Sequence, residues 1–237
     1  KALAGLANVI LKPITLKLEN NFQLPPEQEI IKYLTKKTRA IIIINPDNPT
    51  GKVWSAQELK TIIKIAKKYN LYIIADETYR EIVFTGRPGS ILNLAGARER
   101  VILLDSVSKR FSIPGMRIGI IASYNQTVMG TLLKLAMARL SAPTIGQLLT
   151  ITALKNSRSY TKKIATEYRR RRDIIQAGLK KIPGITYNQP AGAFYQVIKL
   201  PVVKADDFIR FMLEDFHYQR QTLLVAPMED FYLTSGL

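Results

Sequence analysis

The 237-residue chain contains no cysteine, a single histidine, and only 18 acidic side chains against 35 lysines and arginines. Without thiols it can form neither disulfides nor thiolate metal sites, and the lone His217 cannot build a metal centre by itself. No metal is therefore expected, and a cytoplasmic location fits the cysteine count. Long apolar runs are missing too. The longest, such as "AIIII" from Ala40 to Ile44, falls far short of the roughly 20 residues that cross a bilayer, so nothing is expected to span a membrane. There is no signal-peptide pattern, internal repeat or low-complexity segment. Dinucleotide and P-loop glycine patterns are absent, since "AGARER" and "PGMRIG" follow neither spacing. The chain opens at Lys1 without a methionine, in what reads as the end of a helix, and further sequence upstream is expected.

What remains is a globular composition, 47% hydrophobic, with enough residues for a substantial core and two domains. The formal charge of +17 attracts anions without saying which. Nucleic acid, an acidic membrane surface, a phosphorylated cofactor and a simply basic proteome all fit it. Nucleic-acid readers bring aromatic interleaving or a recognisable motif, and neither is found. On a long helix the arginines of "YRRRRD" (Tyr168 to Asp173) spread around the cylinder and make a solvated face. Nucleic acid is thus not the expected partner.

Through the first two thirds, short β-rich runs alternate with helical patterns, the mark of an α/β domain with a mostly parallel sheet. The runs are Asn8 to Leu16, Ala40 to Pro46, Leu71 to Glu77, Val101 to Ser106 and Arg117 to Ser123. Several are apolar on both faces, as strands covered by helices should be. In "SAQELKTIIKIAKKYN", Ser55 and Glu58 read as a capping box, and Leu59, Ile62, Ile63 and Ala66 share one face. Another helix begins near Pro25 and Pro26. The rhythm then changes to a long basic helix, roughly Ser159 to Lys181, closed by Pro183 and Gly184. A smaller α+β unit follows, with strand-like Ala193 to Leu200, an amphipathic helix from Asp206 to Phe216, and strand-like Thr222 to Pro227. The expected division is a large domain over residues 1–150 and a small one over 151–237.

In open α/β sheets, ligands gather at the carboxyl ends of strands. Three successive strand ends here read "NPDNPTG" (Asn45 to Gly51), "ADETY" (Ala75 to Tyr79) and "DSVSK" (Asp105 to Lys109). They offer an amide, a carboxylate with a phenol, and an amine flanked by hydroxyls.

That set resembles the class I/II aminotransferase family of pyridoxal-phosphate enzymes, fold type I. The stretches that carry it are "NPDNPTG", "ADETYREIVF", "SVSKRFSIPGMRIG" and the less specific "PAGAFY" (Pro190 to Tyr195), in order over essentially the whole chain. The third is the strongest, because Ser-x-Ser-Lys-x-Phe-x-x-Pro-Gly-x-Arg-x-Gly fixes many positions at once.

The resemblance implies a pyridoxal 5′-phosphate cofactor, with Lys109 as catalytic residue, bonding covalently to its aldehyde and carrying a proton between the substrate α-carbon and the cofactor. It implies that Asp76 pairs with the pyridine nitrogen and keeps it protonated. Tyr79 and Asn48 would donate to the cofactor's phenolate oxygen. Arg117 would clamp the phosphate with help from the Ser106 and Ser108 hydroxyls. Pro114 and Gly115 suit a turn that swings Arg117 toward that phosphate, with glycine supplying the unusual backbone geometry. Phe194, Tyr195 and the other aromatics near them read as core.

The implied reaction moves an α-amino group between an amino acid and a 2-oxo acid, in a homodimer. A lyase or decarboxylase on the same scaffold remains open, as does a non-catalytic cofactor-binding regulatory domain. Two family features find no counterpart. One is an upstream phosphate-binding turn with an aromatic that stacks on the ring. The other is an arginine near the C-terminus for the substrate carboxylate. The chain is therefore expected to be incomplete at both ends.

Overall fold

A strand survives only where its backbone finds a partner on each bonded side, and this decides which apolar runs become sheet. In the computed structural model, which describes residues 2–86, 89–155, 157–228 and 231, four of the five expected runs in the first two thirds do so. They are β1 (Ala40–Ile44), β2 (Tyr72–Asp76), β3 (Val101–Ser106) and β4 (Gly119–Ala122). They lie in the order β1-β2-β3-β4. The first three are parallel, with Ile44 beside Asp76 and Asp76 beside Leu104, and β4 runs antiparallel to β3.

The fifth run, Asn8 to Leu16, is not a strand. Pro13 removes one ladder donor, and most of the run is exposed instead of packed into the sheet. Thr222 to Pro227 also forms no strand and is largely exposed. Of Ala193 to Leu200 only β6 (Ile198–Lys199) pairs, with β5 (Thr186–Tyr187), while the Ala193 N–H is given to the Ile82 carbonyl. Most of the closing stretch from Asp230 to Leu237 lies outside the described residues.

The helices are α1 (Ala2–Leu6), α2 (Glu27–Lys32), α3 (Ala56–Lys68), α4 (Val107–Arg110), α5 (Gln126–Arg139), α6 (Thr144–Lys155), α7 (Ser157–Leu179) and α8 (Ala205–Glu214). Sequence reading assigns no helix to α5 or α6, whose apolar residues are spread around the cylinder and so give no clear stripe. Among the described residues, no helix is long and apolar enough to cross a membrane.

The main core lies between α3 and the sheet. Leu59, Ile62, Ile63, Ile65 and Ala66 meet Ile43, Ile73, Ala75, Val101 and Leu103. Ile73 and Val101 are wholly buried, each worth roughly 1.5–3 kcal/mol relative to exposure. This core holds the strand ends at a fixed height.

The start of α3 is fastened as its sequence requires. Ser55 Oγ accepts from the Glu58 N–H at 3.2 Å, and the Glu58 carboxylate accepts from the Ser55 N–H at 2.9 Å. Its other oxygen accepts from the Leu24 N–H at 3.0 Å and the Lys52 ammonium at 2.6 Å. Burial works against the charged form of Glu58, but these donors outweigh it and hold the carboxyl below its usual range. A carboxylate so depressed adds stability above its unfolded-state pKa and loses it as pH falls through the lower folded value. Glu58→Gln is therefore expected to cost about 1–2 kcal/mol at neutral pH, with the gap to wild type closing in acid. Urea unfolding midpoints at the two pH values check this.

Candidate active site

Parallel register brings the loops after β1, β2 and β3 to one end of the sheet. The Asn45 N–H donates to the Asp76 carbonyl and the Glu77 N–H to the Leu104 carbonyl, each at 2.8 Å. Asp76 closes β2, half-buried, with its Oδ1 accepting from the Thr78 N–H at 3.0 Å. Tyr79 follows in the next turn. It is buried, and its ring meets those of Phe194 and Tyr195 edge-on. Burial pushes the Tyr79 phenol up, and its neighbours Tyr195 and the Asp76 carboxylate add to the effect. The phenol keeps its proton.

At the end of β3, Ser106 caps the four-residue α4 by accepting from the Ser108 N–H at 3.1 Å. Its Oγ lies 2.9 Å from Ser108 Oγ and 3.1 Å from the Ile118 carbonyl oxygen. Lys109 stands on the same turn, half-buried, with Nζ 5.6 Å above the centre of the Phe194 ring. Among the described residues it enters no ion pair. Asn48 is half-buried in the loop after β1, and its side chain makes no hydrogen bond among the described residues.

Arg117 differs from expectation in its local geometry. Pro114 to Met116 form a single 3-10 turn, and the left-handed residue is Arg117 itself (φ 56°), not Gly115. The side chain is exposed, and its guanidinium donates to the Pro114 carbonyl at 2.9 Å. A non-glycine residue in this region is strained, and its neighbours must hold it there. The Ile118 side chain, buried with Val107 and Phe111, anchors the next position.

Two features escape the sequence reading. The first is an ionic cluster behind the site. Asp105 accepts from Arg110, and from Arg80 at 3.3 Å; Arg80 also reaches Glu77 at 3.1 Å and Glu81 at 3.5 Å. Asp105 and Glu77 side chains are 5% and 1% exposed. Glu77 further accepts from the Ile91 N–H at 2.8 Å and the Ser90 hydroxyl at 3.0 Å. Burial still pushes its carboxyl up, against those donors and Arg80. The cluster ties the residue after Asp76 to the residue after Lys109. Within "ADETYR" and "DSVSKR", alternating charges were the available signal.

The second is the seating of Pro190 to Tyr195. The N–H groups of Ala191 and Gly192 both donate to the Gly51 carbonyl at 2.9 Å, Phe84 N–H donates to Ala191, and Ala193 N–H donates to Ile82. Gly51 sits at φ +67°, where a Cβ would collide with the Pro190 side chain. A Cβ on Gly192 would lie 2.7 Å from the Ile82 carbonyl oxygen. Both glycines are needed for this approach of backbone to backbone. The result is that Phe194 and Tyr195, expected as core, pack with Tyr79, and the Tyr195 hydroxyl bonds that of Tyr79.

A mostly parallel sheet thus carries a carboxylate, a phenol, paired hydroxyls and an amine at its carboxyl end, where open α/β enzyme scaffolds place their ligands. Residues 2–227 match the family described as aminotransferase class I and II, and the chain belongs to that family. It is 36% identical over 194 residues to an aspartate aminotransferase of Pyrococcus horikoshii, covering 78% of this chain and 48% of that protein. It is also 36% identical over 181 residues to an aromatic-amino-acid aminotransferase of Thermococcus litoralis, covering 75% and 46%. Among solved structures, a single mutant of Thermus thermophilus aspartate aminotransferase superposes with a TM-score of 0.86 at 25% identity, over 97% of this chain and 59% of that one. The chain spans about half the length of the curated relatives it matches.

Proposed function

We propose that the protein is a pyridoxal-phosphate-dependent aminotransferase moving an α-amino group between an amino acid and a 2-oxo acid. The observation that carries this reading is the gathering of Asp76, Tyr79, Ser106, Ser108 and Lys109 at the carboxyl ends of β2 and β3. The chemistry of that donor set fits the coenzyme. Its ring nitrogen needs a carboxylate, its phenolate oxygen a phenol proton, its phosphate hydroxyls and a guanidinium, and its aldehyde an amine. When bound, the coenzyme supplies a ring that accepts negative charge from the substrate α-carbon.

The chain's own residues do the rest. Asp76 would hold the proton on the ring nitrogen, and Tyr79 and Asn48 would donate to the phenolate oxygen. Ser106 and Ser108 would donate to the phosphate. Arg117 has donors beyond the one given to Pro114 and can turn them to the same anion. Lys109 would tether the coenzyme through its amine and, once freed, would carry a proton to and from the substrate α-carbon.

Residues 1–150 are taken as the coenzyme-binding domain and 151–237 as part of the smaller one. We take the protein to be a cytoplasmic homodimer acting in amino acid metabolism. Exposed apolar side chains along α5 and α6, such as Leu133, Met137, Ile145 and Leu148, support a subunit contact.

A panel of amino acids assayed against 2-oxoglutarate tests the reaction. Amino transfer that depends on the oxo acid is the expected result. Release of ammonia or carbon dioxide without an oxo acid would mean a lyase or decarboxylase instead.

A further inference from the structure

A phenol has one proton to donate, so where two phenols meet, the direction of the bond between them decides which one is left to act on a ligand. Tyr79 and Tyr195 meet in this way at hydroxyl-to-hydroxyl hydrogen-bond distance, although 116 residues separate them in sequence. If Tyr79 gives its proton to Tyr195, it has none for a ligand in the site. If Tyr195 gives, the Tyr79 proton is free, and Tyr79 becomes a stronger donor because its oxygen is already accepting.

We propose that Tyr195 is a positioning residue for the coenzyme site: its hydroxyl donates to Tyr79 and so turns the Tyr79 proton toward the coenzyme's phenolate oxygen. This rests on the reading of Asp76, Tyr79 and Lys109 as a pyridoxal-phosphate site.

Three structural facts favour it. Tyr195 follows a segment pinned by backbone hydrogen bonds from Ala191, Gly192 and Ala193 and by the tight contact at Gly51, so its hydroxyl is held in place. Its ring is locked between Tyr79 and Phe194, at centroid distances of 5.5 and 4.9 Å. The adjacent Phe194 lies under Lys109 Nζ and stacks on Tyr168. The same short segment therefore addresses both the amine and the phenol.

The test is a pH titration of the visible absorption of the coenzyme bound to the whole protein, which reads proton affinity at the coenzyme and not turnover. A donor to the phenolate oxygen stabilises the deprotonated form, so losing it raises the midpoint. Tyr79→Phe is expected to raise it most. Tyr195→Phe keeps the ring and removes only the hydroxyl. It is expected to raise proton affinity by roughly two- to tenfold, up to about one pH unit, the scale of one neutral hydrogen bond. In the double variant the Tyr195 change should add nothing to the Tyr79 change, because it acts through that residue.

An unmoved midpoint in Tyr195→Phe, additive shifts in the double variant, or a larger shift from Tyr195→Phe than from Tyr79→Phe would overturn the proposal and leave the aminotransferase reading standing. If Tyr79→Phe moves nothing, the assigned role of Tyr79 falls and this proposal falls with it. Failure of the unaltered protein to bind the coenzyme would overturn both readings together.

Discussion

Lys109→Ala is expected to lower amino transfer by roughly 10⁴-fold or more and to abolish the adduct that borohydride traps between protein and coenzyme. The amine is both anchor and proton carrier in the proposed reaction, so its loss removes two functions at once. The fold should not suffer. Lys109 is half-buried on α4 and enters no ion pair among the described residues, so shortening it strands no buried partner. Lys109→Arg sharpens the test, since it keeps the positive charge over Phe194 but offers no free amine to the aldehyde. It is expected to be as inactive as the alanine variant. Peptide mapping of the reduced protein gives the readout, and an adduct that persists in either variant would remove Lys109 from its assigned role.

The second large effect falls on stability. Asp105→Ala takes away the carboxylate on which Arg80 and Arg110 converge, and both guanidiniums are largely covered, with side chains 21% and 11% exposed. Arg110 Nε already lacks a partner, alone among buried side-chain nitrogens and oxygens of the described residues. Breaking a buried pair from one side leaves uncompensated charge and costs about 3–5 kcal/mol. Denaturant unfolding should show the loss, and activity should fall with it, because the cluster joins the ends of β2 and β3. Asp105→Leu combined with Arg110→Met is expected to recover part of the stability, since it removes the Asp105–Arg110 pair from both sides but leaves Arg80, Glu81 and the Ser106 N–H each short of one partner.

Strands β1 to β4, helix α3 with its cap, and the long helix α7 were legible because their patterns are local. Alternation, an apolar stripe and a Ser-to-Glu spacing can each be read from a dozen residues. The motif residues at the strand ends were legible for the same reason. Asn8 to Leu16 shows the limit, since its apolar run looks like a strand and only the absence of pairing says otherwise. Arg117 shows another: the turn was expected to use Gly115, yet the strain sits on the arginine, a matter of how Ile118 is buried. The role of Tyr195 could not be read at all. Its aromatic ring suited a core, and the hydroxyl gains meaning only from a partner far away in sequence.

That remoteness bears on the order in which the molecule takes shape. Thr50 and Asn188, joined through carbonyl and amide, are 138 residues apart, and Tyr79 and Tyr195 are 116 apart. Closing loops of this length carries an entropic cost that short-range contacts do not share. The sheet can therefore form before the candidate site beside it is complete. Loosening of that late-arriving segment would silence the molecule well before its framework melts.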